Sequence, residues 1–544
     1  MTHDVAIIGA GFAGLYAHWK LRQQGLSLIG FEAASGVGGT WWWNRYPGAR
    51  CDVESLEYCY GFSPELLEEW QWSERYATQP EILSYAEHVA ARFDLTRDIR
   101  FNTRIAAMRF DDAGNFWELE TEAGERFQAQ FVVTAVGCLS VPNKPGIAGF
   151  DSFAGEVYFT AAWPHEGVDL SGKRVGVIGT GSSGIQSIPL IAEQAAQLTV
   201  FQRTPNFSVP AHNGPIDPAH EAEVRADYPG WCRKIRNSYA GFGLMPPIER
   251  MPATWSPGRS VLEASEEERE AAFEASWAKG GLGFAAPYVD VSKDLKANAI
   301  AADFIHRKIR SIVKDPVVAD KLCPMTYPYG TKRPCVDTGY YATFNRDNVT
   351  LVDISQAPIA GIMPHGLRTT EAEYPFDVLV FATGFDGVTG PLLRLNITGL
   401  GGRRLADEWA DGPRTYLGLM VSGFPNLFTV TGPSSPSVLT NMITAIEQHV
   451  DWIATCIAHL RASGCDRIDA DREAEEAWNA EANALADQSF YGLANSWYMG
   501  ANIPGKPRRM LAYLGGLDTY AARCEDVARD GYRGFILSAP ARAA

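Results

Sequence analysis

The chain has 544 residues, more than one hydrophobic core sustains, so two or three domains are expected. A 46% hydrophobic and 21% charged composition is that of an ordinary soluble protein, and a formal net charge of −16 argues against nucleic acid or an anionic membrane as partner. No apolar run is long enough to cross a membrane, the opening "MTHDVAIIGAG" has no leader pattern, and nine scattered cysteines without a C-x-x-C pair fit reduced thiols in a cytoplasm.

"DVAIIGAGFAGLYAHWKLRQQG" reads as a buried strand, a glycine turn and a helix ending at Gly25, and "LSLIGFEA" as a second strand. Gly9, Gly11 and Gly14 give the tight turn, the close approach to a pyrophosphate and the close helix–strand packing of a dinucleotide site. The helix N-terminus then faces the phosphate. Glu32, ending the second strand, is placed for a ribose diol. Directly behind it, "GVGGTWWWNRYPGARCDVES" (36–55) has close glycines and three tryptophans that suit a large flat ring.

Strands also fit "FVVTAVG" (131–137) and "FDVLVFATGF" (376–385), short apolar runs bounded by glycine. A second unit starts near residue 173, where "KRVGVIGTGSSGIQSIPLIAEQ" and "LTVFQRT" repeat the first pattern through Gly179, Gly181 and Gly184. Arg203 and Thr204 now stand where Glu32 stood. A carboxylate repels a 2′-phosphate and a guanidinium binds it, so this site points to NADPH. From about 214 to 331 the chain is charged and helix-prone without a strand signal, which reads as a helical insertion. "TNMITAIEQHVDWIATCIAHLRASG" has helical spacing and is expected to pack back on the first domain.

The expected fold is α/β: two Rossmann-like dinucleotide-binding domains with a helical insertion. Its parts are an FAD-binding domain (1–145), an NADP-binding domain with its linker (146–213), the insertion (214–331), and second parts of the NADP domain (332–380) and FAD domain (381–544). Two dinucleotide sites imply electron transfer, most simply from nicotinamide to flavin. A disulfide reductase needs paired thiols, and the nearest in sequence, Cys51 and Cys59, have no reason to face each other. Reduction of dioxygen by flavin is the better option.

The linker "FAGEVYFTAAWP" matches the signature F-x-G-x-x-x-H-x-x-x-W-P/D of the Baeyer–Villiger monooxygenases at Phe153, Gly155, Trp163 and Pro164. Blocks such as "GGTWWWNRYPGARCDVES", "RVGVIGTGSSG", "FQRTPNF", "LVFATGFD", "IEQHV" and "SWYMGANIPGKPR" follow in the family's order, so nearly the whole chain resembles its phenylacetone and steroid monooxygenase branch. The resemblance implies FAD, NADPH and O₂ acting on a ketone, which becomes an ester or lactone through a flavin C4a-peroxide. It implies an active-site arginine at Arg333 with Asp52 as partner, and Lys332 at the 2′-phosphate. It places FAD contacts at Glu32, Thr40, Trp41, Asp52, Tyr58, Ile105 and Met442. Nicotinamide-nucleotide contacts fall at Thr180, Gly181, Ser182, Ser183, Gly184, Ile185, Gln186, Arg203, Thr204 and Trp497.

The signature histidine is replaced by Phe159, which fills an imidazole's volume without its conventional hydrogen bonds. Either the histidine's polar role is dispensable, the favoured reading, or the enzyme leaks hydrogen peroxide. His165 lies nearby but needs a rearranged linker to substitute. Phe153 and Trp163 are expected to anchor the linker, Gly155 to permit a turn, and Cys138 to be a small buried thiol. The alternatives are a flavin monooxygenase oxidising nitrogen or sulfur, an NADPH oxidase or flavin reductase, and, weakly supported, a non-catalytic binding protein. Val438, Leu439 and Thr440, with Tyr58 and Trp497, suggest an apolar substrate.

Overall fold

Thr2–Ile8 forms the first strand, and its residues Val5, Ala6, Ile7 and Ile8 are buried, as expected at the centre of a sheet covered on both faces. The computed structural model, which describes residues 2–243 and 258–539, places this strand between Leu28–Phe31 and Arg126–Thr134, parallel to both. Ile99–Arg100 extends the parallel side beyond Leu28–Phe31. On the other side Phe116–Thr121 and Ile105–Asp111 run antiparallel, and Ile397–Thr398 and Leu427–Thr429 return from late in the chain.

The second sheet has five parallel strands in the order Val349–Asp353, Gln197–Gln202, Arg174–Ile178, Val378–Phe381 and Glu156–Phe159. Each sheet carries a glycine turn leading into a helix, Phe12–Arg22 in the first and Ser182–Gln194 in the second. The α/β class with two Rossmann-type units is therefore present. Over 214–331 the described residues form helices and no strand, including Pro218–Ala226, Tyr228–Arg236, Glu266–Lys279 and Leu295–Ile312. Residues 244–257 of that stretch lie outside the described residues. Ser265 and Glu268 start Glu266–Lys279 with a reciprocal capping box, satisfying amides that a helix start leaves open.

Helix Met442–Ala462 packs on Phe12–Arg22, where Asp451 accepts from the Tyr16 hydroxyl at 2.8 Å and pairs with Lys20 at 2.8 Å. Two chain segments cross between the sheets and run side by side. Val388 N–H donates to the Cys138 carbonyl at 2.7 Å, Asp386 N–H to Val141 at 2.9 Å, and Asn143 N–H to Gly384 at 2.9 Å.

The linker is the edge strand Glu156–Phe159. Phe159 pairs in register with Phe381, and their rings stack 5.2 Å apart, with Phe150 at 6.2 Å. Trp163 is buried in the core beneath the second sheet, while Phe153 packs on the opposite face. Gly155 is not needed for a turn: its φ is ordinary, but a Cβ there would strike the Asp377 carbonyl and the Phe153 ring. Close packing, not conformational freedom, requires the glycine. His165 does not take up the missing histidine's place, since its ring lies 5.0 Å from that of Trp42. Among the described residues no helix is long and apolar enough to cross a membrane.

Candidate active site

The first cradle is built from backbone. Gly9 has φ +106°, and a side chain on it or on Gly14 would run into a carbonyl, of Ala135 and of Gly9 respectively. Gly11 backs onto Gly39, where a Cβ would lie 2.9 Å from the Gly11 Cα. No side chain caps the helix that starts at Phe12, so its first amides stay open to an anion. The Glu32 carboxylate accepts from Ala10 N–H at 2.7 Å and Ala34 N–H at 2.8 Å. A carboxylate has about four acceptor sites, so lone pairs remain for a diol.

Thr40 is exposed at the head of the short helix Thr40–Trp43. The buried Trp41 indole N–H donates to the Tyr58 hydroxyl at 3.1 Å. Trp42 instead lies between His165 and the Arg45 guanidinium, 5.1 Å above its ring, so the tryptophans do not form one flat platform. Ile105 is buried in the sheet's core, close behind Thr103, whose N–H donates to the Glu32 carbonyl at 2.8 Å. Met442 and Trp497 share an apolar cluster with Cys138, Leu139, Val388 and Val438. Cys138 is buried, its thiol 3.1 Å from the Ser437 hydroxyl.

The second cradle repeats the construction with Gly179 at φ +111° and Gly184 against the Gly179 carbonyl, while Gly181 faces open space. Thr180 donates to the Thr204 carbonyl at 3.2 Å, Ser182 touches the Cys335 thiol at 3.4 Å, and Ser183 interacts with Tyr46. Ile185 is buried in the core below. Gln186 joins the two units: its amide donates to the Arg50 carbonyl at 3.1 Å and accepts from the Tyr46 hydroxyl at 2.8 Å. Arg203 is exposed, and Lys332 is close enough to feel its charge. Burial and Arg203 push the Lys332 pKa down to about 8, with no acidic group opposing them. Two cations held together in this way favour an anion between them.

Arg333 and Asp52 meet at the junction. Nε donates to Oδ2 at 2.5 Å and Nη2 to Oδ1 at 2.9 Å, while Nη1 donates to the Val438 carbonyl at 3.2 Å. Burial acts to lower the Arg333 pKa, but the charge and hydrogen bonds of Asp52, helped by Tyr498, raise it. The guanidinium is a permanent cation. Tyr498 was not anticipated from the sequence; its hydroxyl interacts with Arg333, and burial pushes its pKa up to about 12. Only its place beside Trp497 in "SWYMG" could have drawn attention to it.

Of the thiols near the junction, Cys51 accepts from the Val53 amide and Cys335 from Asn206 at 3.1 Å. Cys59 faces Cys232 on the insertion helix Tyr228–Arg236, a neighbour invisible in the sequence.

Residues 6–226 match the family described as pyridine nucleotide-disulphide oxidoreductase. Over 538 residues the chain is 44% identical to a Baeyer–Villiger monooxygenase of Pseudooceanicola batsensis, covering 98% of this chain and 96% of that one. The chain belongs to the Baeyer–Villiger monooxygenase family. A cyclohexanone 1,2-monooxygenase of Acinetobacter sp is 40% identical, covering 99% of this chain and 97% of its own. A phenazine N-monooxygenase of Lysobacter antibioticus is 43% identical, covering 98% and 97%. Among solved structures, oxidized steroid monooxygenase bound to NADP superposes with a TM-score of 0.92 at 51% identity, covering 99% of each chain. OTEMO in complex with FAD and NADP gives 0.93 at 40% identity, covering 98% of this chain and 99% of that one. This Baeyer–Villiger monooxygenase is thus an FAD- and NADPH-dependent flavoprotein, and both of its backbone cradles suit a dinucleotide pyrophosphate.

Proposed function

We propose that the enzyme converts an apolar ketone to its ester or lactone, consuming one NADPH, one proton and one O₂ and releasing NADP⁺ and water. The observation that carries this reading is the Arg333–Asp52 pair beside both cradles. Arg333 leads to Cys335 against Ser182 of the second cradle, and its Nη1 reaches Val438 beside Met442.

On this reading the Gly9–Gly14 turn and Glu32 hold the ADP half of FAD, with Thr40, Trp41, Asp52, Tyr58, Ile105 and Met442 along the rest. Thr180 to Gln186, Arg203, Thr204, Lys332 and Trp497 hold NADPH. The chain then divides into a discontinuous FAD domain, an NADP domain and the helical insertion at the boundaries given above. Nine free thiols support a reducing, cytoplasmic setting.

Bound FAD, reduced by NADPH, supplies the electrons that activate dioxygen. Arg333 polarises the ketone carbonyl and holds the negative charge that develops on its oxygen when oxygen adds to the carbonyl carbon, before the neighbouring carbon migrates. In a half-buried site that charge acts more strongly than in water. Asp52 fixes the plane of the guanidinium through two bonds, which a single contact would not do. Leu139, Val438, Met442 and Trp497 supply apolar walls that exclude water.

A second reading, oxygen transfer to nitrogen or sulfur, is favoured by the 43% identity to a phenazine N-monooxygenase. The test supplies NADPH, ¹⁸O₂ and cyclic, linear, aromatic and steroid ketones, beside a sulfide and an N-heteroarene. An ester carrying one labelled oxygen supports the ketone reading. An oxide of the heteroatom compounds alone supports the second. One peroxide per NADPH with or without ketone makes the protein an oxidase.

A further inference from the structure

One loop grips the ribbon formed by the two chain crossings. At the ribbon's end Val388 has φ +64° and ψ −64°, a γ-turn conformation that β-branched residues avoid. The turn is closed by Thr389 N–H donating to the Gly387 carbonyl at 2.8 Å. The same carbonyl accepts from Lys506 Nζ at 2.9 Å, and Lys506 also pairs with Asp386 at 2.6 Å. Asn502 donates to the Phe385 carbonyl at 2.7 Å. A Cβ on Gly387 would lie 3.0 Å from the Trp497 indole, so the turn is the floor on which that ring rests.

Three consecutive residues, Phe385, Asp386 and Gly387, are therefore held by the loop that carries Trp497. A strained turn persists only where its surroundings over-determine it. Lys506 does that here, because it bonds the carbonyl that closes the turn. Its side chain is 11% exposed and that of Asp386 30%, so the ion pair is screened by solvent less than a pair on the open surface. Immobilising a lysine costs rotamer freedom, which the two bonds to one turn offset.

We infer that Lys506 is a positioning residue, whose clamp on Asp386 and Gly387 locks the Trp497 loop to the ribbon joining the two dinucleotide units. The clamp makes nucleotide grip depend on the relative placement of those units. It rests on the assignment of Trp497 to the nicotinamide nucleotide. With the clamp broken, Trp497 loses its seat, NADP⁺ is held less tightly and electrons escape as hydrogen peroxide.

The test compares wild type, Lys506→Met, Lys506→Arg, Asp386→Asn and Trp497→Ala as FAD-loaded enzymes. NADP⁺ affinity is measured by calorimetry, peroxide per NADPH under saturating ketone, and the thermal midpoint as a control on folding. Lys506→Met and Asp386→Asn should each weaken NADP⁺ binding by about tenfold, the loss of one such contact. Peroxide release should rise while the midpoint holds, and Lys506→Arg should restore part of the affinity. Lys506→Met should add nothing further in a Trp497→Ala background. Unchanged affinity in both clamp variants, or losses that add to that of Trp497→Ala, would overturn the proposal while leaving the role of Trp497 standing. Unchanged affinity in Trp497→Ala would remove that role and the clamp with it. If Lys506→Met fails to fold, Asp386→Asn answers the same question by the same titration.

Discussion

Arg333 and Asp52 lie 281 positions apart in sequence yet meet through two parallel hydrogen bonds of 2.5 and 2.9 Å. The arrangement fixes the guanidinium plane and leaves its Nη1 edge toward Val438. Arg333→Ala should lower ester formation by about 10²–10³-fold, the usual cost of removing a donor from a site of developing charge. Flavin reduction by NADPH, which needs no polarised carbonyl, should persist. Arg333→Lys should rescue little, because an ammonium cannot reproduce the two-pronged contact. Rapid-mixing measurement of reduction beside product analysis separates the two steps, and equal loss of both would refute the assignment.

Lys332 gives a pH signature. Burial and the charge of Arg203 hold its pKa at about 8 in the unliganded protein. A bound 2′-phosphate favours the charged form. Below pH 8 the lysine is charged before NADPH arrives; above it, binding must take up a proton. The KM for NADPH should therefore be flat below pH 8 and rise above it, approaching about tenfold per pH unit for one proton. Lys332→Arg should remove the rise, and NADH, lacking the phosphate, should show no such step. Initial rates from pH 6.5 to 9.5 with both coenzymes check this.

Arg203 should decide between the coenzymes. Its guanidinium is exposed at the end of the strand Gln197–Gln202, beside Lys332. A charge-assisted bond is worth about 1.5–3 kcal/mol, so Arg203→Ala should raise the KM for NADPH by roughly 10–100-fold. The KM for NADH should hardly move. A parallel loss with both coenzymes would mean that the residue supports the fold and not the phosphate.

What could be read from sequence was local. Gly9, Gly11, Gly14 and Glu32 lie within one strand–turn–helix–strand unit, so their spacing carries their geometry, and Gly179 to Arg203 repeat it. Asp52 and Arg333 could be paired only by resemblance, because no local rule joins residues so far apart. Lys506 and Asp386 both lie in blocks that carry the resemblance, "SWYMGANIPGKPR" and "LVFATGFD", but no local rule joins residues 120 positions apart. The "TWWW" run could not be resolved from sequence for a different reason. Consecutive residues on a short helix point in different directions, so Trp41 meets Tyr58 while Trp42 meets His165. Gly155 was read for its backbone freedom, whereas the constraint came from the neighbouring Asp377 carbonyl.

Phe159 occupies the family histidine's position, and its surroundings say what a histidine there would do. Its ring stacks on Phe381 at 5.2 Å within a patch that includes Phe150, Phe153 and Val157. Phe381 and Leu379 face this patch, while the alternating Val378 and Val380 face the core containing Cys335, two residues from Arg333. The sheet thus separates Phe159 from the Arg333–Asp52 pair. Phe159→His should lose an aromatic pairing and place polar nitrogens on an apolar surface, at a cost of about 1 kcal/mol. The thermal midpoint should fall, while peroxide released per NADPH should stay within about twofold of wild type, as expected for distant sites with no shared partner. A marked drop in peroxide release would instead show that a hydrogen bond from this position reaches the oxygenation site through the linker, and that its loss has loosened coupling in this enzyme.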